Sequence, residues 1–255
     1  MIELKNVSAG YDGKTVVRGA CAVFEQGKIT VLAGPNGCGK STLLKSIVGI
    51  VPHTAGDILI NGSSIRSMNI KQMAKAVAYL AQSKKAPDIS VIKMVLHGRF
   101  AHLSYPRKYR IQDIEIAKNA IRWAGLESES EKIVSKLSGG MQQNVYIAMA
   151  LAQDTEIILM DEPTTYLDIA HQLRLMEMVK NLAKDGKTIV MVLHDLSQAM
   201  QIADRIIVMK EGRIISQGTA EEVYEDKSLE ASFGVKVEKL QTKEGENVWH
   251  CSRFL

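Results

Sequence analysis

One eight-residue stretch constrains the fold of this chain more than any other feature. Residues 34–41 read Gly-Pro-Asn-Gly-Cys-Gly-Lys-Ser and match the pattern G-x-x-x-x-G-K-[ST] at every fixed position. The apolar segment Lys28–Ala33 precedes the motif, and apolar residues at helical spacing follow it. The sequence therefore predicts a strand, a phosphate-binding loop and a helix; the alternative is a plain glycine-rich turn with a capping serine.

Each fixed residue of this loop has a chemical reason to be there. Glycines let successive backbone N–H groups point inward at phosphate oxygens, and the following helix N-terminus favours an anion. Lys40 is predicted to reach the β- and γ-phosphates and Ser41 to ligate Mg²⁺. Cys38 stands at a position of the motif that any residue type can occupy, so its side chain is interpreted as incidental to the motif.

A pair of acidic residues follows a second buried segment. Asp161 and Glu162 come directly after the apolar run Ile157–Met160. A carboxylate at the carboxyl end of a parallel strand lies beside the nucleotide crevice of such folds. Asp161 is expected to hold Mg²⁺ through water and Glu162 to act as general base on the attacking water. A solvated acidic turn before Pro163 is the alternative interpretation.

The order of apolar segments predicts an α/β fold. Continuous apolar strands alternate with helices after residue 152, which indicates a parallel sheet covered on both faces. Residues from about 87 to 152 show helical patterns with no strand between them. Residues 226–255 are weakly patterned and are expected to form a short helix and a hairpin around residues 244–245.

Composition excludes several classes of protein. With 46% hydrophobic and 24% charged residues, the chain is neither disordered nor fibrous. Its apolar runs are far shorter than the roughly 18 residues that span a bilayer, and Met1–Lys5 do not resemble a secretory signal. The net charge of +4 does not by itself indicate nucleic acid. Three widely spaced cysteines predict reduced thiols and a cytoplasmic chain.

Further motifs give the chain a family resemblance. Leu137-Ser138-Gly139-Gly140-Met141-Gln142-Gln143 lies between the two phosphate-site motifs and resembles the signature of ABC-type ATPases. The other elements of that family occur in order. They are Tyr11 for the adenine-stacking aromatic, Gln82 for the Q-loop glutamine, Thr164-Thr165-Tyr166-Leu167-Asp168 for the D-loop and His194 for the switch histidine.

The resemblance implies a fold and a layout of domains. The implied fold is an α/β P-loop NTPase core with a mainly parallel sheet, an N-terminal antiparallel β subdomain and an inserted α-helical subdomain. The chain would form a single ABC-type ATPase domain. Its parts would be a catalytic core at about 1–86 and 153–225, a helical insertion at about 87–152 and a C-terminal extension at about 226–255.

The resemblance also implies roles for individual residues around ATP and Mg²⁺. Glu162, His194 and Gln82 would be catalytic, and Asp168 would carry communication across a dimer. The ATP-binding residues would be Tyr11, Gly34, Pro35, Asn36, Gly37, Cys38, Gly39, Lys40, Ser41 and Thr42. Magnesium ligands would be Ser41, Gln82 and Asp161. In a head-to-tail dimer with a second copy, Ser138, Gly139, Gly140 and Gln142 would contact the opposite subunit's ATP.

Two positions depart from the family pattern. Asn144 and Met149 stand where the family usually has arginines in the signature helix. The usual electrostatics of that helix are therefore not expected here, although every catalytic position is intact.

Narrower motifs resemble one branch of the family. Val95–Leu103 is similar to a stretch found in the ATPases that serve iron–siderophore, haem and cobalamin importers. Leu167–Leu173, His194–Ala199 and Gly218–Val223 resemble the same branch. This implies two integral membrane permease subunits as partners, an extracytoplasmic substrate-binding protein as an indirect partner, and a peripheral location on the cytoplasmic side of the membrane. Alternatives are another cargo, or a soluble ABC ATPase associated with nucleic acid, which is not expected.

Cationic and aromatic residues alternate in the segment Arg99–Arg110. This pattern leaves three interpretations open: a solvated surface loop, a groove for a cytoplasmic helix of a membrane subunit, or a site that stacks and neutralises single-stranded nucleic acid.

Overall fold

The computed structural model describes residues 1–82, 86–165, 167–242, 245 and 247–253. It contains two compact units. The first joins Met1–Ser67 to the described residues from Ala183 onward, and the second is Met68–Leu182.

An antiparallel sheet forms one part of the first unit. Its strand order is β2-β1-β4-β5, with bounds β1 Ile2–Tyr11, β2 Lys14–Phe24, β4 His53–Ile60 and β5 Ser63–Ser64. Buried and exposed positions largely alternate along β2, as expected for a sheet with one face on the core. This sheet is the predicted N-terminal antiparallel subdomain.

Parallel strands form the other part of the first unit. The strand β3 (Ile29–Ala33) lies between β8 (Thr188–Val192) and β9 (Arg205–Lys210), parallel to both. A further strand, β10 (Arg213–Gly218), pairs with β9 in the antiparallel sense. Every residue of β3 and β8 is buried, which explains why their sequences are apolar without alternation.

Short helices and a hairpin complete the first unit. The helices are α1 (Lys40–Ile47), α7 (Leu196–Ile202), α8 (Ala220–Glu225) and α9 (Ser228–Phe233). At the C-terminus β11 (Val235–Gln241) pairs with β12 (Asn247–Arg253). The predicted helix and hairpin are confirmed, although Glu244 in the expected turn lies outside the described residues.

The second unit combines two parallel strands with helices. The strands are β6 (Val77–Leu80) and β7 (Ile157–Asp161). The helices are α2 (Ile70–Ala76), α3 (Val91–Leu96), α4 (Ile111–Trp123), α5 (Gly139–Ala152) and α6 (Ile169–Lys184). Apolar faces of α3, α4 and α5 share one buried core, which includes Val91, Ala117 and Val145.

Sequence patterning did not reveal α2. This helix has only seven residues and buries none of them, so its few apolar positions give too short a pattern to recognise. Its start is marked instead by a capping box: the Asn69 side chain accepts from the Gln72 backbone N–H, and the Gln72 side chain accepts from the Asn69 N–H. The spacing Asn-x-x-Gln was the available signal.

Arg99 corrects one interpretation of the segment 99–110. A solvated loop is wrong for this residue because its side chain is buried and forms an ion pair with Asp113, with 3.1 Å between Nε and Oδ1. The guanidinium also donates to the carbonyl oxygen of Ala152 at the end of α5. Burial acts to raise the pKa of the Asp113 carboxyl. The backbone N–H of Arg110 and the Arg99 guanidinium outweigh it, so that this pKa is lowered.

We expect Asp113→Asn to destabilise the protein by about 3 kcal/mol at neutral pH, because the Arg99 charge then stays buried without its carboxylate. The lowered pKa means that the ion pair stabilises the fold at pH values above the usual carboxyl pKa of 3.8. That stability is lost as the pH falls through the folded-state value. Denaturant unfolding should therefore show that the wild-type protein has the larger free energy of unfolding at pH 7. The difference between the two proteins should become smaller in strong acid. Glu115→Gln, at an exposed position of α4, is the control and should change stability by less than about 0.5 kcal/mol.

Two further expectations concern the described residues. No helix among them has the length and apolar character needed to cross a bilayer. Cys21, Cys38 and Cys251 are all free thiols, as the sequence predicted.

Candidate active site

The predicted phosphate loop lies in the first unit between β3, which ends at Ala33, and α1, which begins at Lys40. Two of its glycines are required by the backbone. Gly39 has φ +107° at the N-cap of α1, a conformation that L side chains rarely adopt. A Cβ on Gly34 would lie 2.2 Å from the carbonyl oxygen of Met209. The glycines thus allow the sharp turn that the sequence predicted.

Lys40 places a positive charge inside this loop. Its side chain is buried, and its ammonium donates to the carbonyl oxygens of Gly34 at 2.6 Å and Pro35 at 3.0 Å. Among the described residues no carboxylate forms an ion pair with it. Burying a cation whose only hydrogen-bond partners are neutral groups costs free energy of folding. The loop is therefore well suited to an anionic ligand.

The Cys38 side chain packs inside the phosphate loop, although the motif leaves the residue type at this position open. Its side chain is buried, with Sγ 3.9 Å from the Lys40 ammonium. Burial raises the pKa of this thiol, and the nearby lysine offsets only part of that rise. The thiol is therefore neutral at pH 7, and the sequence alone did not predict this packing role.

The remaining predicted residues of the first unit differ in exposure. Asn36 and Gly37 at the tip of the loop are exposed, Ser41 is half-buried and Thr42 is buried. Tyr11, at the end of β1, is 45% exposed, so its ring can receive a planar ligand. His194 is also exposed and lies two residues beyond β8.

The second unit brings together the predicted acidic residues and the predicted Q-loop glutamine. Asp161 is the last residue of β7 and is 1% exposed. The hydroxyl of Tyr79 donates to its Oδ2 at 3.1 Å. The neighbouring Glu162 is also buried, and the side-chain amide of Gln82 donates to its Oε2. The alternative of a solvated acidic turn is therefore wrong.

Glu162 also has an unusual backbone. Its φ is +54°, in the left-handed region that non-glycine residues rarely occupy. Such conformations cost about 1–3 kcal/mol and cluster at functional sites. A buried carboxylate on a strained backbone, next to a glutamine amide, is the arrangement expected of a precisely placed base.

The predicted signature begins α5. Ser138 is its N-cap, and its hydroxyl accepts from the backbone N–H of Met141 at 3.3 Å. Gly139 is exposed, and among the described residues outside its own helical turn none lies within 4 Å of a Cβ placed there. The fold of this chain therefore does not require glycine at that position. Gln142 donates to the carbonyl oxygen of Leu137 at 2.9 Å, which ties the helix to the preceding loop.

Asp168 caps the start of α6. Its Oδ1 accepts from the backbone N–H of His171 at 2.8 Å and lies 2.8 Å from the ring Nδ1 of the same residue. These hydrogen bonds hold the pKa of the Asp168 carboxyl below its usual range. Tyr166, in the same predicted D-loop, lies outside the described residues.

The two departures from the family pattern have local packing roles. The amide of Asn144 lies 3.4 Å from the carbonyl oxygen of Ala124, just beyond the end of α4. Met149 is half-buried in α5. Both positions therefore pack within the helices and carry no charge.

Sequence reasoning missed two residues that support the acidic pair. Tyr79 donates to Asp161, and the buried amide of Gln143 donates to the carbonyl oxygen of Pro163 at 3.2 Å. Gln143 stands in the signature segment, but nothing in the sequence links it to a residue 20 positions away. Only the folded chain reveals these partners.

Comparisons with known proteins agree with this geometry. A family model described as ABC transporter matches residues 19–165. The chain is 41% identical to the iron(3+)-hydroxamate import ATP-binding protein FhuC of Bacillus subtilis, over 93% of this chain and 89% of the relative. It is 39% identical to the petrobactin import ATP-binding protein FpuD of Bacillus anthracis, over 91% of this chain and 86% of the relative.

A solved structure, the dimeric form of a bacterial ABC transporter cassette, superimposes with a TM-score of 0.77 at 28% identity. The match covers 86% of this chain and 99% of that one. The shared fold is the P-loop ABC fold that the sequence predicted.

Proposed function

Because the chain belongs to the ABC transporter ATP-binding family, we propose that it is the ATP-hydrolysing subunit of an importer for an iron chelate. One observation carries the proposal. A chain whose phosphate loop encloses a buried lysine is 41% identical, over 93% of its length, to an iron(3+)-hydroxamate import ATP-binding protein. A second relative is a petrobactin import ATP-binding protein, which favours a siderophore over cobalamin or haem.

ATP binding is assigned first to the phosphate loop. Lys40 binds the β- and γ-phosphate oxygens as a cation, and the helix N-terminus at α1 supplies amides for the same anion. Tyr11 stacks on the adenine. The other residues assigned to ATP are Gly34, Pro35, Asn36, Gly37, Cys38, Gly39, Ser41 and Thr42.

Hydrolysis is assigned to Glu162. Its carboxylate takes a proton from the attacking water, while Gln82 orients that water and His194 contacts the γ-phosphate. The hydrogen bond between Gln82 and Glu162 supports this pairing. So does the left-handed backbone of Glu162, which fixes the direction of its side chain.

Magnesium fits the donors that this chain offers. Across the described residues no group of three or more His, Cys, Asp or Glu is arranged to cage a metal. Mg²⁺ does not need one, because it binds through one or two protein oxygens, waters and substrate phosphates. Ser41, Gln82 and Asp161 are the residues assigned to hold it. When bound, it neutralises charge on the phosphate oxygens.

A head-to-tail pair of chains is the assembly that we assign to the working enzyme. Gly139 supports it, because no described residue outside its own helical turn lies within 4 Å of where a Cβ would stand, which leaves room for a ligand from outside. Ser138, Gly139, Gly140 and Gln142 contact the partner's ATP, and Asp168 carries communication across the pair. The relative of known structure is itself dimeric.

The remaining partners follow from the importer assignment. Two integral membrane permease subunits bind the pair, which places it on the cytoplasmic face of the membrane. An extracytoplasmic substrate-binding protein delivers the iron chelate. The nucleic-acid alternative gains no support from either import relative.

Uptake assays test this function directly. Inactivating the gene should abolish uptake of at least one ⁵⁵Fe-labelled siderophore, of the hydroxamate or catecholate class, while labelled cobalamin uptake stays normal. The wild-type gene should restore uptake, and Glu162→Gln should not. Normal uptake of every ferric chelate, with loss of another cargo, would contradict the iron assignment.

A further inference from the structure

The C-terminal hairpin has no role in the function proposed above, yet it is firmly built into the first unit. Trp249 of β12 is 4% exposed, and its ring packs on Tyr224 of α8 with centroids 5.1 Å apart. Lys239 of β11 forms an ion pair with Glu221 of α8 at 3.1 Å. The Glu230 carboxylate accepts from the backbone N–H of Val237 at 3.0 Å. The hairpin is thus fixed to the two helices that precede it.

The same hairpin covers α7. Trp249 and Val237 belong to one buried cluster with Leu196 and Met200, which lie on the inner face of α7. Ala33 at the end of β3 is in that cluster too. Apolar contacts on both sides therefore hold α7 between the strand that leads into the phosphate loop and the C-terminal hairpin.

The first turn of α7 packs against the hairpin. Leu196, the first residue of α7, lies in the cluster with Trp249 and Val237, and Cys251 of β12 packs against the same cluster. Asp195 is the N-cap of α7, where its side chain accepts from the backbone N–H of Gln198 at 3.0 Å. His194 is the residue immediately before this cap. The hairpin thus contacts the helix within three residues of the predicted catalytic histidine.

We propose that the C-terminal hairpin positions His194, with Trp249 and Val237 acting through α7 as positioning residues. Loosening either contact lets α7 shift or fray at its first turn, and the imidazole before it loses its fixed direction. Small misplacements of a catalytic group are enough to slow a reaction markedly. None of the loop residues 34–41 is in this cluster, so ATP binding should be retained when the hairpin is loosened. The inference rests on the proposed role of His194 in hydrolysis.

A double-mutant cycle separates this role from a general loss of stability. The single variants are Trp249→Leu, which keeps an apolar side chain but removes the ring, and Val237→Ala, which shortens an apolar side chain of the same cluster. Each should lower kcat by about five- to tenfold while KM for ATP stays within about twofold. Trp249→Phe, which keeps an aromatic ring in the cluster, should restore most of the rate. His250→Ala, at an exposed position of the same strand, is the control and should behave as wild type.

The decisive measurement is the same pair of substitutions made in His194→Ala. Because the hairpin acts through His194, neither should slow that variant further in single-turnover hydrolysis. An equal slowing with and without the histidine would overturn the inference, and so would unchanged kcat in both single variants. If Trp249→Leu fails to fold, Val237→Ala carries the test alone. A normal rate in His194→Ala would instead contradict the proposed role of the histidine, and the inference with it.

Discussion

Replacing Glu162 by glutamine will slow ATP hydrolysis by about 10²-fold or more, because the amide cannot take a proton from the attacking water. The substitution keeps the size of a side chain that is buried beside Gln82. ATP affinity should therefore change by less than about threefold. In the head-to-tail assembly the variant should trap ATP in a closed dimer, which sedimentation with ATP and Mg²⁺ will detect.

Glu177→Gln provides the matched control, since it makes the same chemical change at an exposed position of α6. It should hydrolyse ATP at the wild-type rate. Wild-type turnover in Glu162→Gln would show that another group is the base. Slow turnover with lost ATP binding would instead make Glu162 a residue of the binding site.

Lys40→Ala will weaken ATP binding by about 10²-fold. Two charge-assisted hydrogen bonds to phosphate contribute about 3 kcal/mol together, which corresponds to that factor. The lysine is already enclosed by the loop carbonyls, so little side-chain entropy is lost when phosphate arrives. Isothermal titration with ATP will measure the loss, which should be much smaller for adenosine because it has no phosphates.

Lys45→Ala removes a lysine from the same helix, α1, beyond its first turn and away from the loop. Its ATP affinity should stay within about twofold of the wild-type value. The thermal stability of both variants should be measured beside the affinity, because Lys40 is buried and Lys45 is not. Unchanged ATP affinity in a folded Lys40→Ala protein would remove this lysine from the site.

Much of the fold follows from local patterns. The helices α3, α4 and α5 lie within the segment of about 87 to 152 whose patterns are helical, and β7 contains the apolar run Ile157–Met160, because buried faces leave a clear pattern in the sequence. The helix α2 escaped detection because it is fully outside the core, and only its capping box marked it. Arg99 looked like a surface cation until its partner Asp113 was located in the folded chain.

In the candidate site, too, some features could be predicted from the sequence and others could not. Phosphate-loop residues were predictable one by one, since the chemistry of a strand, a glycine-rich turn and a helix N-terminus is local. The hydrogen bond of Tyr79 and the packing of Trp249 with Leu196 were not, because their partners are distant in sequence and depend on how strands and helices pack. The positive φ of Glu162 could not be predicted either, since a glutamate in the sequence does not indicate this backbone conformation.

By itself, the sequence determined the alternation of buried strands with helices, the phosphate loop and the family to which the chain belongs. These depend on residues that are close together in the sequence. Their spacing dictates the local backbone geometry and which chemical groups the loops present. The tertiary structure alone decided which carboxylates are buried, that Lys40 is enclosed with no acidic partner in the described part of the chain, and that the C-terminal hairpin contacts the helix after His194. Those features arise from contacts between distant segments, and the energy that fixes them is released only when the core packs.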